Sequence, residues 1–388
     1  MSTQLDILAL EPFYGGARRV MLESVIHCSR HRWTLLKLPP RRIERRLTAA
    51  AHWFAEQLSR HWAGRCDVLF TSEAMNLADL YRLVPALLKQ PSVVYFHSNQ
   101  LPAADSTSET SLDLVNLNTS QAATEIWFNS LYHLRTFLAK ATSLVRRHPE
   151  LSARNPMAEL TAKAQLMAPP VDYSMLHDLI AHGAPKREKR TIFVETRDAD
   201  TNLLNRALAT LMRRGEHFKL ITIGNLDGVS DELPRTTLAE NDDPSQMLAM
   251  LQAGVFLSTK VGAPCDHHCV RALAAGCFPM VPNVGVYREL LPEMIHPACL
   301  YNGEPDQLAG RMQDVWHLER PSGYADRLHE ILRAFDPIVA CNNIDQRLQD
   351  LVTASEKRKA AAAAAAAAAQ SASHTGSSPT PARPQPRA

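Results

Sequence analysis

The sequence predicts an α/β protein: two Rossmann-like domains whose parallel sheets face a cleft, followed by a disordered tail. Three observations carry this. Short apolar runs alternate with helically patterned stretches from residue 5 to about 300. The alternation is interrupted once, by the charged stretch APKREKR at 184–190, and then restarts. The end of the chain changes character to an alanine run and then a Ser/Pro/Arg-rich segment, which cannot bury enough apolar surface to fold. The expected division is 1–175, 186–353 and a tail at 354–388.

In chain order, LDILALEP is a strand, and FYGG after it is a glycine turn opening a helix. WTLLKLPP is a strand, and RIERRLTAAAHWFAEQLSRHW has helical spacing. The strands CDVLFTSE, SVVYFHSNQ and IWFNS then alternate with helical stretches, and AQLM ends the first half. After the linker, RTIFVETR, FKLITIGN, VFLSTK and CFPMVPN read as strands. NLLNRALATLMRRG, DPSQMLAMLQAG (with Asp243 as its N-cap) and CDHHCVRALAAG read as the helices between them. Ligands of such sheets bind beyond the carboxyl ends of the strands. Here those ends are EPFYGG, FHSNQ, ETRDADTN, IGN and TKVGAPCDHH, all polar or glycine-rich.

Composition bounds the rest. The 388 residues are 45% apolar and 21% charged, with a net charge of +2, which describes a globular protein. No apolar run reaches the roughly 20 residues of a membrane helix, and the start has no signal-peptide pattern. Seven cysteines are then expected as reduced thiols in a cytoplasm. There is no GxGxxG fingerprint and no P-loop, so dinucleotide binding and NTP hydrolysis are unsupported. Arginines gather early, at Arg18, Arg19, Arg41, Arg42, Arg45 and Arg46, with Trp33 and Trp53 nearby in sequence. Such a cluster suits nucleic-acid phosphates, with Arg41 and Arg45 as the contacts; the alternative is a solvated helix face.

The cluster CDHHC has the letters of a metal site. Adjacent His267 and His268 diverge by about 100° on a helix, and Cys265 and Cys269 would need a distant partner such as Cys299 or His296 to complete a tetrahedron. No metal and no cofactor are expected. Asp266 is read as the cap of that helix.

Four stretches carry a family resemblance: LALEPFYGGARRVMLE, VVYFHSNQL, WFNSLYHLRTFL and GCFPMVPNVGVYRELLP. Their order and content resemble the glycosyltransferase family 4-like proteins that share an N-terminal domain with the tRNA-queuosine alpha-mannosyltransferases. The resemblance implies the GT-B fold and a nucleotide-sugar donor, GDP-mannose. It also implies tRNA as acceptor and retention of configuration at the sugar. On that reading Gly15, Gly16, Arg197, Asn202, Asp266 and Arg271 surround the donor, Asn99 and Gln100 face the acceptor, and His97 and Glu11 serve the chemistry. The pattern departs where the family carries two glutamates, now Ala263 and Arg271, and where it carries a lysine, now Thr201. Two alternatives therefore stay open: a non-catalytic relative that binds tRNA or a nucleotide, and a transferase acting on a lipid or small glycan.

Overall fold

A computed structural model describes residues 4–62, 64–103, 112–148, 150–151 and 156–374, with side chains to residue 366. The first sheet comprises β1 (Asp6–Glu11), β2 (Arg32–Lys37), β3 (Val68–Ser72), β4 (Ser92–Phe96), β5 (Glu125–Phe128) and β6 (Ala164–Leu166). It is parallel throughout, in the order β2-β1-β3-β4-β5-β6. Helices α1 (Gly16–Cys28), α2 (Ile43–His61), α3 (Leu77–Leu83), α4 (Val115–Ala122), α5 (Leu131–Arg147) and α6 (Pro156–Lys163) join the strands.

Burial on both faces explains why these strands read as nearly continuous apolar runs. Along β1, Leu8 and Leu10 enter one core cluster, while Ile7 enters another on the opposite face. This is the two-residue period of a strand.

The second sheet holds β7 (Glu188–Glu195), β8 (Lys219–Ile223), β9 (Arg235–Leu238), β10 (Ala253–Leu257), β11 (Phe278–Pro282) and β12 (Leu300–Tyr301), again parallel, in the order β12-β11-β10-β7-β8-β9. The helices of this half are α7 (Ser174–Ala181), α8 (Thr201–Arg213), α9 (Asp243–Gln252), α10 (His267–Ala274), α11 (Tyr287–Leu290), α12 (His296–Cys299), α13 (Pro305–His317), α14 (Tyr324–Arg333) and α15 (Pro337–His374). β9 and β12 escape sequence reading because they are too short to show a period.

In each sheet the strand order reverses beside the first strand, between β1 and β3 and between β7 and β10. A crevice opens at the carboxyl end of such a switch point. Contacts bring the two halves together. Glu289 on α11 accepts from the backbone N–H groups of Leu131 (2.9 Å) and Tyr132 (2.5 Å) at the start of α5. The Ser130 hydroxyl donates to the Pro264 carbonyl at 2.6 Å. An acidic side chain satisfies the free donors and the positive dipole of a helix start, so one domain caps a helix of the other.

The expected domain limits need correction at two places. Val171, Tyr173 and Leu176 belong to the second core, so the chain has already crossed before residue 175. Cys341, Ile344, Leu348 and Leu351 of α15 pack with Met21, Leu22 and Val25 of α1 against the first sheet. Polar contacts fix that return: Asp345 accepts from the Ser29 hydroxyl (2.5 Å) and the Arg30 N–H (2.8 Å), and Arg347 grips Glu125 with two nitrogens (3.0 and 2.5 Å).

The alanine run of the tail, which the sequence left open to helix formation, is helical. α15 continues through the alanine run to His374, because alanine has the best helix propensity and the packed first turns have already met the nucleation cost. The rest of the expected disordered segment, 375–388, lies outside the described residues.

Two stability outcomes follow. Truncation after residue 355 removes only exposed side chains among the described residues and should leave the melting temperature within about 1–2 °C of the full chain. Ile344→Ala, at a fully buried position, should cost about 2–5 kcal/mol in denaturant titration.

Candidate functional site

The first switch point is lined by buried carboxylates. Glu11 ends β1, and Glu73 follows β3; both are buried. Glu11 Oε1 accepts from the Phe13 N–H (2.8 Å) and the Ser72 hydroxyl (2.9 Å), which fixes the start of the glycine turn. Burial pushes its carboxyl up to about 7, Glu73 adding to the rise while Arg18 opposes it. Glu73 is ion-paired with Arg18 and accepts from the backbone N–H groups of His97 (3.2 Å) and Ser98 (3.1 Å). One carboxylate therefore ties α1, β3 and the end of β4 together.

His97 is buried with its ring 4.7 Å from that of Tyr95. Burial foremost, with Arg18 and His133 adding, holds the imidazole well below its ordinary value, so it is neutral at physiological pH. Gln100 donates its N–H to Asn116 Oδ1 at 2.7 Å, and Asn99 accepts from Lys140 at 3.4 Å.

The glycine turn needs both its glycines. Gly16 has φ +54°, a left-handed conformation, and a Cβ on Gly15 would lie 2.5 Å from Pro40 Cγ. Gly15 gives α1 no side-chain cap and its first turn has no acid, so the helix start has N–H groups free for an anion. Across the cleft, a Cβ on Gly16 would stand 3.6 Å from Arg197 Nη1. Two expected donor loops, one from each domain, thus meet.

The other expected donor residues divide. Arg197 is half exposed and paired with Glu240. Asn202 is exposed on the first turn of α8, beside the N-cap Asp200. Asp266 is consumed by the fold, accepting from the Cys269 N–H (3.1 Å) and the Tyr287 hydroxyl (2.9 Å). Arg271 is buried; it donates to the Asp172 carbonyl (3.1 Å) and pairs with Asp243 (3.4 Å), beside a cavity of about 670 Å³ that also reaches Arg19, Glu23 and His27. Asp243 is available for this because Asp242, not Asp243, caps α9, accepting from the Ser245 N–H at 3.2 Å.

CDHHC is an ordinary helix start with two histidines lodged against each other, their rings 4.1 Å apart rather than diverging. Among the described residues, no group of three His, Cys, Asp or Glu side chains is placed to hold a metal.

The basic N-terminal cluster also divides. Arg18 is buried against Glu73, Lys37 sits 4.0 Å over the Tyr14 ring and Arg46 donates to the Pro39 carbonyl. Trp33 and Trp53 pack against the cores. Arg41, Arg42 and Arg45 remain exposed, next to Pro40 and hence to the glycine turn. Sequence reasoning missed Glu73 as the partner of Arg18. The available signal was FTSE, an acid at a strand end matching Glu11.

Comparison with known proteins agrees with this architecture. The N-terminal domain matches a known family. Residues 6–171 match the N-terminal domain of tRNA-queuosine alpha-mannosyltransferases. The tRNA-queuosine alpha-mannosyltransferase of Drosophila melanogaster is 24% identical over 315 residues, covering 74% of this chain and 82% of the fly protein.

Solved structures share the fold. The catalytic domain of starch synthase IV from Arabidopsis thaliana aligns with a TM-score of 0.60 at 9% identity, over 91% of this chain and 99% of that one. An alpha,alpha-trehalose-phosphate synthase from Burkholderia xenovorans gives 0.60 at 13%, over 88% and 100%. The fold is GT-B, and the resemblance to the mannosyltransferases includes the domain that carries the glycine turn.

Two outcomes test the first switch point. Arg18→Met strands Glu73 as a buried unpaired charge and should cost about 3–5 kcal/mol. Glu11 gives a pH signature. Its folded value lies above the ordinary 4.5, so its contribution to stability is complete below pH 4.5 and is lost as pH rises towards 7. In urea unfolding from about pH 4 to 8, Glu11→Gln should lack that part of the decline.

Proposed function

We propose that the protein is a retaining glycosyltransferase that moves mannose from GDP-mannose to queuosine in tRNA. The observation that carries this is the family match over residues 6–171, whose EPFYGG turn faces the nucleotide-side loop at Arg197.

The chemistry needs charge stabilised on the leaving group. The C1–O bond to the diphosphate breaks, and its electron pair departs on the phosphate oxygen. The acceptor hydroxyl oxygen bonds C1 on the same face and passes its proton to the departing phosphate oxygen. On this reading the uncapped start of α1 and the exposed guanidinium of Arg197 take up that negative charge. Asn202 lies on the same rim. His97, neutral and at a strand end, serves the sugar as a hydrogen-bond partner. Glu11 acts by holding the glycine turn through Phe13. The exposed Arg41 and Arg45, next to that turn, supply phosphate contacts for tRNA, with Asn99 and Gln100 nearer the acceptor nucleoside. Among the described residues no helix is long and apolar enough to cross a membrane, and tRNA as acceptor places the work in the cytoplasm.

A second reading rests on Arg271. Where the family carries a ribose-binding glutamate, this chain has a buried arginine already held by Asp172 and Asp243, and Ala263 offers no carboxylate. A relative that binds tRNA without transferring sugar is consistent with those replacements.

Incubation with GDP-mannose and queuosine-containing tRNA, read by nucleoside mass spectrometry, separates the two. A hexose mass gain on queuosine is expected, roughly a hundredfold slower in His97→Ala. Binding of tRNA with no gain from any nucleotide sugar would favour the second reading. Arg41→Glu with Arg45→Glu should weaken tRNA binding and make the slope of log affinity against log salt shallower by about 1–2.

A further inference from the structure

The second switch point holds a cation that the family pattern does not place there. Lys260 follows β10, and its ammonium pairs with Glu195 at the end of β7. Glu195 is buried, and the Lys260 side chain is only 15% exposed. The same carboxylate accepts from the Arg197 N–H at 3.1 Å, so Lys260 and the Arg197 loop are held by one group. The guanidinium of Arg197 points towards Gly16 across the cleft. Burial is the main cause that holds the His267 and His268 imidazoles down at the start of α10, and Lys260 and Arg197 both add to it. Both cations therefore lie close to that helix start. The histidines stay neutral, so the positive charge of this corner comes from Lys260, Arg197 and Arg271, of which Arg271 is already held by Asp243.

We propose that Lys260 is a ligand of the donor diphosphate and that, with Arg197, it forms a two-cation seat opposite the Gly15–Gly16 turn. The inference rests on the donor reading above. It assigns to Lys260 the cationic role for which position 201, a lysine in the family pattern, offers only a threonine hydroxyl. Three physical points support it. Lys260 lies just beyond the carboxyl end of β10 at the switch point, where ligands of such sheets bind. Its pairing with Glu195 orients the ammonium and leaves other N–H donors for phosphate oxygens. The uncapped helix start opposite has its own free donors, and a diphosphate between the two would satisfy both sides.

The test is calorimetric titration of GDP, UDP and GMP into the full-length wild type, Lys260→Arg, Lys260→Met and the double variant Lys260→Met with Glu195→Gln. The double variant avoids leaving a buried carboxylate unpaired, so it keeps the comparison meaningful if the single variant unfolds. Removing a charged hydrogen bond should weaken diphosphate binding about 10- to 100-fold. GMP should change less than about threefold, and Lys260→Arg should recover part of the affinity. Unchanged diphosphate affinity in the folded double variant would overturn the assignment while leaving the donor reading intact, as would equal weakening for GMP and the diphosphate. Failure of the wild type to bind GDP or UDP would remove both.

Discussion

Buried carboxylates sit where each sheet reverses its strand order, and most of what surrounds the cleft is arranged around them. A parallel sheet opens a crevice at a switch point because the connections on either side leave in opposite directions. A carboxylate at the end of a central strand is then surrounded by backbone donors from neighbouring loops, but it is also removed from water. Glu73 answers that cost with Arg18 and two backbone N–H groups. Glu195 answers it with Lys260 and the Arg197 N–H. Glu11 has no such full compensation, and its raised proton affinity expresses the difference.

This arrangement explains why the loops are in register across the cleft. The Glu11–Phe13 contact fixes the glycine turn, the Glu73 contacts fix α1 and the end of β4, and the Glu195 contact fixes the loop that carries Arg197. Glu289 then joins the domains by capping α5, and α15 returns to brace the first sheet beneath α1. Packing far from the cleft therefore supports the helix whose free N-terminus faces it.

The match to a mannosyltransferase N-terminal domain sits beside a C-terminal domain that carries Ala263 and Arg271 where the resemblance led to the expectation of glutamates. Arg271 shows how such a departure is accommodated. A buried arginine needs acceptors, and the Asp172 carbonyl and Asp243 supply them. The neighbouring acid at 242 takes over the cap. The arginine is thus built into the domain core rather than left as an unpaired charge.

Much of the fold was legible from residues 5 to 300, because buried strands and amphipathic helices impose periods that survive in any single segment. The glycine turn was legible too, since Gly15 and Gly16 open a helix immediately after a strand. Partnership was not. The early arginines look alike in sequence, yet Arg18 is buried on Glu73, Arg46 is bound to a carbonyl, and Arg41 and Arg45 face solvent. Asp266 and Asp243 each stood at the expected start of a helix, and only the first caps one. The sequence by itself determined two parallel α/β domains, the polar strand ends and the turn between β1 and α1. Tertiary structure alone decided which charges became pairs, which stayed exposed and where the last helix packs. The reason is that those outcomes depend on residues tens to hundreds of positions apart, brought together by burial, and no local period records them.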